Sequence, residues 1–364
     1  MVTERRTGHP FYMYDAILGE PGAFPRVIRA NEAAVDHFAA GIADSERLFL
    51  VGIGTSHHAA EVGEHFVRVY GGGLRAQAAH SFDFALYGPE LDERDCVVVL
   101  SHRGGKRFSL EALRRAREAG CRTALIAGEG EVAGAAHADA TFQTVDQDRS
   151  SAHTISYVGA LAVLALLAER VGRHRTGSSL LERDFLTDAL PEALRACLAT
   201  EAEMGQLARE HRDHRRYWLA GGGPNAITAR EIALKIKETS YLQAEGMSTE
   251  AMLHGPFQCV EPDDLFILIA PAGAAQARTV ELARLVREIG APYLIVGDGT
   301  AEELREGASG WCVVPTVPEP FTGLTCLLPL QFLAYHLALT RGTDPDGFRL
   351  EDPRFARASK LVRL

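Results

Sequence analysis

The chain has 364 residues, of which 46% are apolar and 24% charged, with a formal net charge of -10. This balance excludes an intrinsically disordered chain, and the length predicts two or three folded domains. The acidic total gives no electrostatic drive toward nucleic acid, yet it leaves room for a local basic pocket that takes an anionic small molecule.

Residues 1–45 read as an N-terminal arm with helical character, and Met1-Val2-Thr3-Glu4-Arg5-Arg6 has no apolar signal core. Residues 46–175 then carry short β-branched runs that end in Gly or Ser, at Leu48–Gly52, Cys96–Ser101 and Thr123–Gly128. The polar stretch Arg173–Leu181 opens a connecting segment, 176–205, and a helix is expected from about Ala189 to His211. A second series of runs lies in 206–340, at Tyr217–Gly221, Leu265–Ala270, Tyr293–Gly297 and Trp311–Val314, before a tail at 341–364. The runs are apolar without alternation, the pattern of strands buried on both faces of a parallel sheet. Helical stretches such as 109–116 and Ala275–Glu288 follow them, so the expected fold is α/β with right-handed βαβ units. Six scattered cysteines (Cys96, Cys121, Cys197, Cys259, Cys312, Cys326) read as reduced core residues of a cytoplasmic protein. No membrane is expected as a partner: the longest apolar run, near Tyr157–Ala168, is interrupted by Gly159 and ends in Glu169-Arg170.

In an open parallel sheet, ligands bind beyond the carboxyl ends of the strands, where helix N-termini offer free N–H groups. The first such loop, Gly52-Ile53-Gly54-Thr55-Ser56-His57-His58, suits a phosphate or a sugar hydroxyl, or is simply a tight turn. It is neither a P-loop nor a dinucleotide fingerprint. The second, Ser101-His102-Arg103-Gly104-Gly105-Lys106-Arg107-Phe108-Ser109, gathers three cations after a buried strand and favours anion binding over a solvated basic turn. The third, Ser150-Ser151-Ala152-His153-Thr154-Ile155-Ser156, is rich in hydroxyls before an apolar helix, where an N-cap accounts for it without function. Further on, Glu231, Lys235 and Glu238 share one helical stripe, with Ala229, Ile232, Ala233, Ile236 and Ser240 opposite. That spacing suits a solvent-facing charge ladder, or a carboxylate beside an amine for proton transfer. His254 precedes Gly255-Pro256, a sharp turn that can present its ring.

Together these segments resemble the sugar isomerase (SIS) domain family, in the arrangement of the isomerase half of glucosamine-6-phosphate synthase. The arm Phe11–Pro21 and Gly54-Thr55-Ser56 match, and Ser101-His102-Arg103-Gly104 falls where the family has Ser-Gln-Ser-Gly. The most specific likeness is Leu234–Tyr241 with Ala244-Glu245 and His254-Gly255-Pro256, followed by Pro329–His336 and Gly342-Thr343-Asp344. The resemblance implies two tandem flavodoxin-like three-layer α/β/α domains and a small-molecule sugar phosphate as ligand. It implies that Glu238 shuttles a proton between C1 and C2 and that Lys235 supports the developing charge. His254 would open the sugar ring from the partner subunit of a homodimer, and Lys360 would be the family's tail lysine. Substrate contacts fall on Gly54, Thr55, Ser56, Ser101, His102, Arg103, Lys106 and Ser151. The chemistry needs no redox cofactor or catalytic metal, and no metal-ligand cluster is expected in the loops.

Three departures stand out. Residue 2 is Val2, so no N-terminal cysteine nucleophile of a glutaminase domain is expected. Arg103 and Lys106 replace small hydroxyl residues, making a neutral cradle cationic. His102 replaces glutamine, and no family role is carried to it. Aldose–ketose isomerisation, amino-sugar-phosphate deamination and deglycation all remain open, with a non-catalytic sugar-phosphate sensor as the alternative. The arm is too short for a helix-turn-helix, and Glu238, Lys235 and His254 favour the enzyme.

Overall fold

The computed structural model describes residues 5–146 and 148–362. Its first part runs α1 (Tyr12–Gly41), β1 (Arg47–Gly52), α2 (Thr55–Tyr70), β2 (Arg75–His80), α3 (Ser81–Tyr87), β3 (Asp95–Leu100), α4 (Arg107–Glu118), β4 (Arg122–Ala127), β5 (Ala140–Gln143) and α5 (Ile155–Thr176). After α6 (Leu190–Cys197) and α7 (Glu201–Glu210) come β6 (Tyr217–Gly221), α8 (Pro224–Ser240), β7 (Ala244–Ser248), α9 (Thr249–Leu253), β8 (Leu265–Ile269) and α10 (Gln276–Ile289). The chain closes with β9 (Tyr293–Gly297), β10 (Gly310–Val313), α11 (Thr322–Arg341) and α12 (Pro353–Ala358). These elements form two compact units. The N-terminal unit comprises 19–146, 148, 153–191 and 358–362, and the C-terminal unit comprises 5–18, 149–152 and 192–357.

In the N-terminal unit the strands form a parallel sheet in the order β2-β1-β3-β4-β5. The pleat sends alternate side chains to opposite faces. Phe49, Val51, Val97 and Val99 pack with Ala112, Leu113 and Ala116 of α4. Leu50 points the other way, toward α2: a Cβ on Gly63 would lie 2.9 Å from Leu50 and 3.0 Å from Leu164 of α5. Only glycine lets those two helices and the strand approach so closely. The C-terminal unit repeats the plan as β10-β9-β8-β6-β7, with Trp218, Phe266, Leu268, Tyr293 and Ile295 packing on Val280, Ala283 and Val286 of α10. Numbered from its own first strand, each sheet reads 2-1-3-4-5, with the strand order reversing between its first and third strands.

The amino ends of the two sheets carry the same fork. Arg47 donates to both oxygens of buried Asp95 at 2.6 Å, and Arg216 donates to Asp264 at 3.0 and 2.9 Å. Each fork ties the start of a first strand to the start of the third strand beside it.

Several sequence expectations need correction. Strands β2, β5 and β7 were not anticipated: they are edge strands, and β2 reads Arg-Ala-Gln-Ala-Ala-His, without a continuous apolar run. The helix expected near Ala189–His211 is real but broken, with a π turn at Phe185–Ala189 and a 3-10 turn at Leu198–Thr200. Cys259 is exposed, whereas the other five cysteines are buried. By length and composition Ile155–Thr176 and Glu319–Arg341 are each long enough to cross a membrane, but 89% of each apolar window is buried in the protein. Gly159 does not interrupt the first of these helices. Glu169 and Arg170, where the apolar run ends, are buried in ion pairs with Arg173 and Glu32.

Candidate functional site

The N-terminal unit presents two loops at its switch point, because β1 and β3 lie side by side. Gly54 caps α2 with φ +57° and ψ -130°, a conformation open essentially to glycine. Ser56 N–H and His57 N–H donate back to Ile53 and Gly54 at 3.2 and 2.8 Å, winding Thr55 and Ser56 into the first turn. In the neighbouring loop Ser101 is 4% exposed, and its hydroxyl has no hydrogen-bond partner among the described residues. An orphaned buried hydroxyl at this position suits a ligand that completes it. Gly104 turns the loop at φ +62°, and Lys106 caps α4. Burial first, and then the charge of Arg103, push the Lys106 amine below its ordinary pKa. Arg103 is exposed, and among the described residues neither cation is paired with a carboxylate. The pairing of β1 with β3 thus sets the loop of Ser101, Arg103 and Lys106 next to the loop of Gly54, Thr55 and Ser56.

His102 turns away from that basic edge into a polar cluster. Its Nε2 accepts the Asp148 N–H at 3.1 Å. Asp148 Oδ2 in turn lies 2.9 Å from His153 Nδ1 and accepts the Ser156 hydroxyl at 2.5 Å. Burial holds the His102 imidazole down to about 4 against the pull of Asp148, so the ring is neutral at neutral pH. Burial would raise the Asp148 carboxyl, but the bonds from His153 and Ser156 carry it below the usual carboxylate value. Asp148 is the residue that sequence reasoning missed. His153 and Ser156 lay in a segment read as a cap, yet the Thr154 side chain at the α5 N-cap makes no capping bond. The only signal was an Asp and a His five positions apart in a loop.

In the C-terminal unit, α8 carries the charged stripe. Lys235 Nζ lies 2.6 Å from Glu238 Oε2 and 3.5 Å from Glu231 Oε1. The ladder does not face solvent: the side chains of Lys235 and Glu231 are 1% and 2% exposed, and only Glu238 reaches the surface, at 21%. Burial would lower the Lys235 pKa, but the carboxylates of Glu238 and Glu231 overcome it and raise it. The expected opposite stripe is buried as well, because α8 packs on both α11 and β7. His254 ends α9 at the predicted sharp turn, where Gly255 has φ +127°. Its ring is exposed and lies 2.6 Å from Glu250, itself bound by Arg278 at 2.7 Å, a network separate from the α8 stripe. Ser151 donates its N–H to the Asp346 carbonyl and lines a 310 Å³ cavity with Arg5, Arg6, Tyr12 and Arg149. Lys360 is exposed on the one-turn 3-10 helix Ser359–Leu361, in the N-terminal unit.

The switch point of the C-terminal unit is different. Gly223 caps α8 with φ +55° and ψ -128°, nearly the Gly54 geometry. The loop beside it already holds a carboxylate, since Glu319 Oε1 accepts the Ala274 N–H at 2.9 Å. A Cβ on Gly273 would sit 2.4 Å from that oxygen.

Two parallel-sheet units of flavodoxin strand order, each with a glycine-capped loop at its switch point, define a tandem α/β protein. The sequence pattern of the SIS domain matches residues 41–170 and 211–341, and the chain belongs to the SIS domain family. It is 29% identical over 346 residues to the glutamine–fructose-6-phosphate aminotransferase (isomerizing) of Thermococcus kodakarensis, covering 94% of this chain and 57% of that protein. Identity is 30% over 353 residues to the enzyme of the same name from Aeropyrum pernix, again 94% of this chain and 56% of the relative. The chain thus spans about half the length of these relatives. The fold is that of the C-terminal domain of glucosamine-fructose-6-phosphate aminotransferase from Francisella tularensis (TM-score 0.85, 20% identity, 94% of this chain and 99% of that one). It is also that of glucosamine-6-phosphate deaminase from Thermotoga maritima (TM-score 0.72, 20% identity, 93% and 97%).

Proposed function

We propose that this chain is a sugar-phosphate enzyme that moves a proton between C1 and C2 of an aldose, ketose or amino-sugar phosphate. The observation that carries this reading is the α8 stripe, in which a surface-reaching carboxylate, Glu238, is held at 2.6 Å by a buried ammonium, Lys235. Glu238 takes the proton from one carbon and returns it to the next. Lys235, kept charged by Glu231, orients that carboxylate and offsets the charge of the enediol. In the N-terminal unit, taken by itself, Arg103 and Lys106 are the proposed binders of an anionic group, with the hydroxyls of Ser101, Thr55 and Ser56 and the Gly54 turn on the same loops. His102 and Ser151 are assigned to the remaining polar contacts. Exposed His254 suits ring opening in a homodimer, and exposed Lys360 suits a ligand-contacting tail lysine. Isomerisation, deamination of an amino-sugar phosphate and deglycation share this proton transfer, and names among the relatives point to the first two.

The test is a panel of hexose and amino-hexose phosphates incubated with the protein in D2O, followed by NMR at C1 and C2. Exchange at one of these carbons, lost in Glu238→Gln, is the expected result. Binding without exchange for every ligand would replace the enzyme with a sugar-phosphate sensor.

A further inference from the structure

We infer that His102, Asp148 and His153 form a binding site for a divalent transition-metal ion of the zinc class. The ligand atoms of these three residues all lie within 4.8 Å of one another, the one such group among the described residues. Two imidazoles and a carboxylate are the donor set that zinc-class ions prefer, and calcium or magnesium would want more oxygen. The spacing fits an ion. Ligands at about 2.0 Å from a tetrahedral centre stand ~3.3 Å apart, and His153 Nδ1 is 2.9 Å from Asp148 Oδ2.

Charge points the same way. The Asp148 side chain is 4% exposed, and its partner His153 is a cation only when protonated, so with neutral imidazoles a bound cation would balance the buried carboxylate. The nearby guanidinium of Arg103 acts on His102 but makes no ion pair with Asp148 among the described residues. His102 already offers Nε2 as an acceptor to the Asp148 N–H. An ion takes that lone pair in place of one weak bond. Ser156 donates to the same Oδ2 at 2.5 Å and so helps to hold the carboxylate in place beside His153. Three protein ligands leave a coordination position for water or a substrate oxygen. The cluster rises from the loops after β3 and β5, at the carboxyl edge of the sheet. This inference does not depend on the sugar-phosphate reading, because it concerns ion binding alone.

The full chain, stripped with EDTA and re-dialysed, is titrated with Co2+ and Zn2+ by calorimetry. Co2+ is also followed by its visible d–d bands and by X-ray absorption. The wild type is expected to bind about one ion per chain with imidazole in the Co2+ shell. His153→Ala, Asp148→Asn and His102→Gln, each checked for native circular dichroism, should bind more than about 100-fold more weakly, and Ser156→Ala about 10-fold more weakly. Zn2+ should raise the Tm of the wild type and not of the three ligand variants. If the wild type takes up no ion, or the variants bind it equally well, the site is a hydrogen-bonded Asp–His–Ser network only and the inference falls.

Discussion

The two units solve the same structural problem and then diverge at one edge. At the amino edge they agree: Arg47–Asp95 and Arg216–Asp264 are the same fork at the same strand positions. The turn geometry of the first loop is shared too, Gly54 and Gly223 differing by only a few degrees. At the carboxyl edge they part. In the N-terminal unit the loop after the third strand holds two cations and an orphaned serine hydroxyl. In the C-terminal unit the equivalent region is filled by Glu319, an anion supplied by the chain itself. One fold therefore carries a cationic loop in one copy and a loop occupied by its own carboxylate in the other. In the second copy the proposed proton transfer lies on the helix α8. Function lives in the site and not in the fold, so the features that differ between the copies are the first place to seek it.

The largest expected effect falls on α8. Glu238→Gln should cut C1/C2 exchange by about 10²–10⁴-fold while leaving the fold intact. Lys235→Met should instead destabilise the C-terminal unit by about 3 kcal/mol, because it removes the ammonium that lies between Glu238 and buried Glu231. Activity assays and urea melts on the two variants separate the roles. Equal losses of stability would deny Glu238 a special place.

The repeated forks come next. Asp264→Asn should cost about 3 kcal/mol at neutral pH, since Arg216 and the Trp218 N–H both lose a charged acceptor. The effect depends on pH in a fixed direction. Burial would raise the Asp264 carboxyl, but Arg216 and Trp218 outweigh it, and the folded pKa lies below 3.8. Its contribution is therefore complete above about pH 5 and fades as pH falls through the folded value. The gap between wild type and Asp264→Asn in urea should close in acid, and a gap that widened would reverse the assignment.

The cradle gives a smaller, kinetic effect. Arg103→Ser should raise KM about 10-fold or more with kcat nearly unchanged, because a charge-assisted contact to a non-reacting end serves ground and transition states alike. An unchanged KM would mean that the cationic loop faces solvent and binds nothing.

The sequence made the central strands legible, because Cys96–Leu100 and Leu265–Ile269 are buried on both faces and read as unbroken apolar runs. The edge strands β2, β5 and β7 were not, since none keeps an unbroken apolar run, whereas β10, also at an edge, was found from Trp311–Val314. Glu238 and Lys235 could be paired from helical spacing alone, but their burial could not. Spacing tells which residues share a stripe, while the packing of α11 and β7 decides whether that stripe sees water. Asp148 was invisible for a similar reason. It meets His102 across 46 positions, and only the return of the loop after β5 toward the loop after β3 joins them.

The smallest effect tests the comparison itself. Glu319 stands in the C-terminal unit where the N-terminal unit offers cations, and its carboxylate satisfies the Ala274 N–H. Glu319→Ala removes that acceptor and should cost about 1 kcal/mol, the usual net worth of one such bond. It also clears the space against Gly273 that the carboxylate occupies. If Glu319 is an internal substitute for a bound anion, inorganic phosphate should restore part of the lost Tm in the variant. The wild-type C-terminal unit, already filled, should gain nothing there, and Arg103→Ser in the background removes any contribution from the other loop. Should phosphate stabilise the Glu319→Ala, Arg103→Ser double variant no more than the Arg103→Ser single one, the carboxylate is a strut, and the resemblance between the two switch points ends at their glycines.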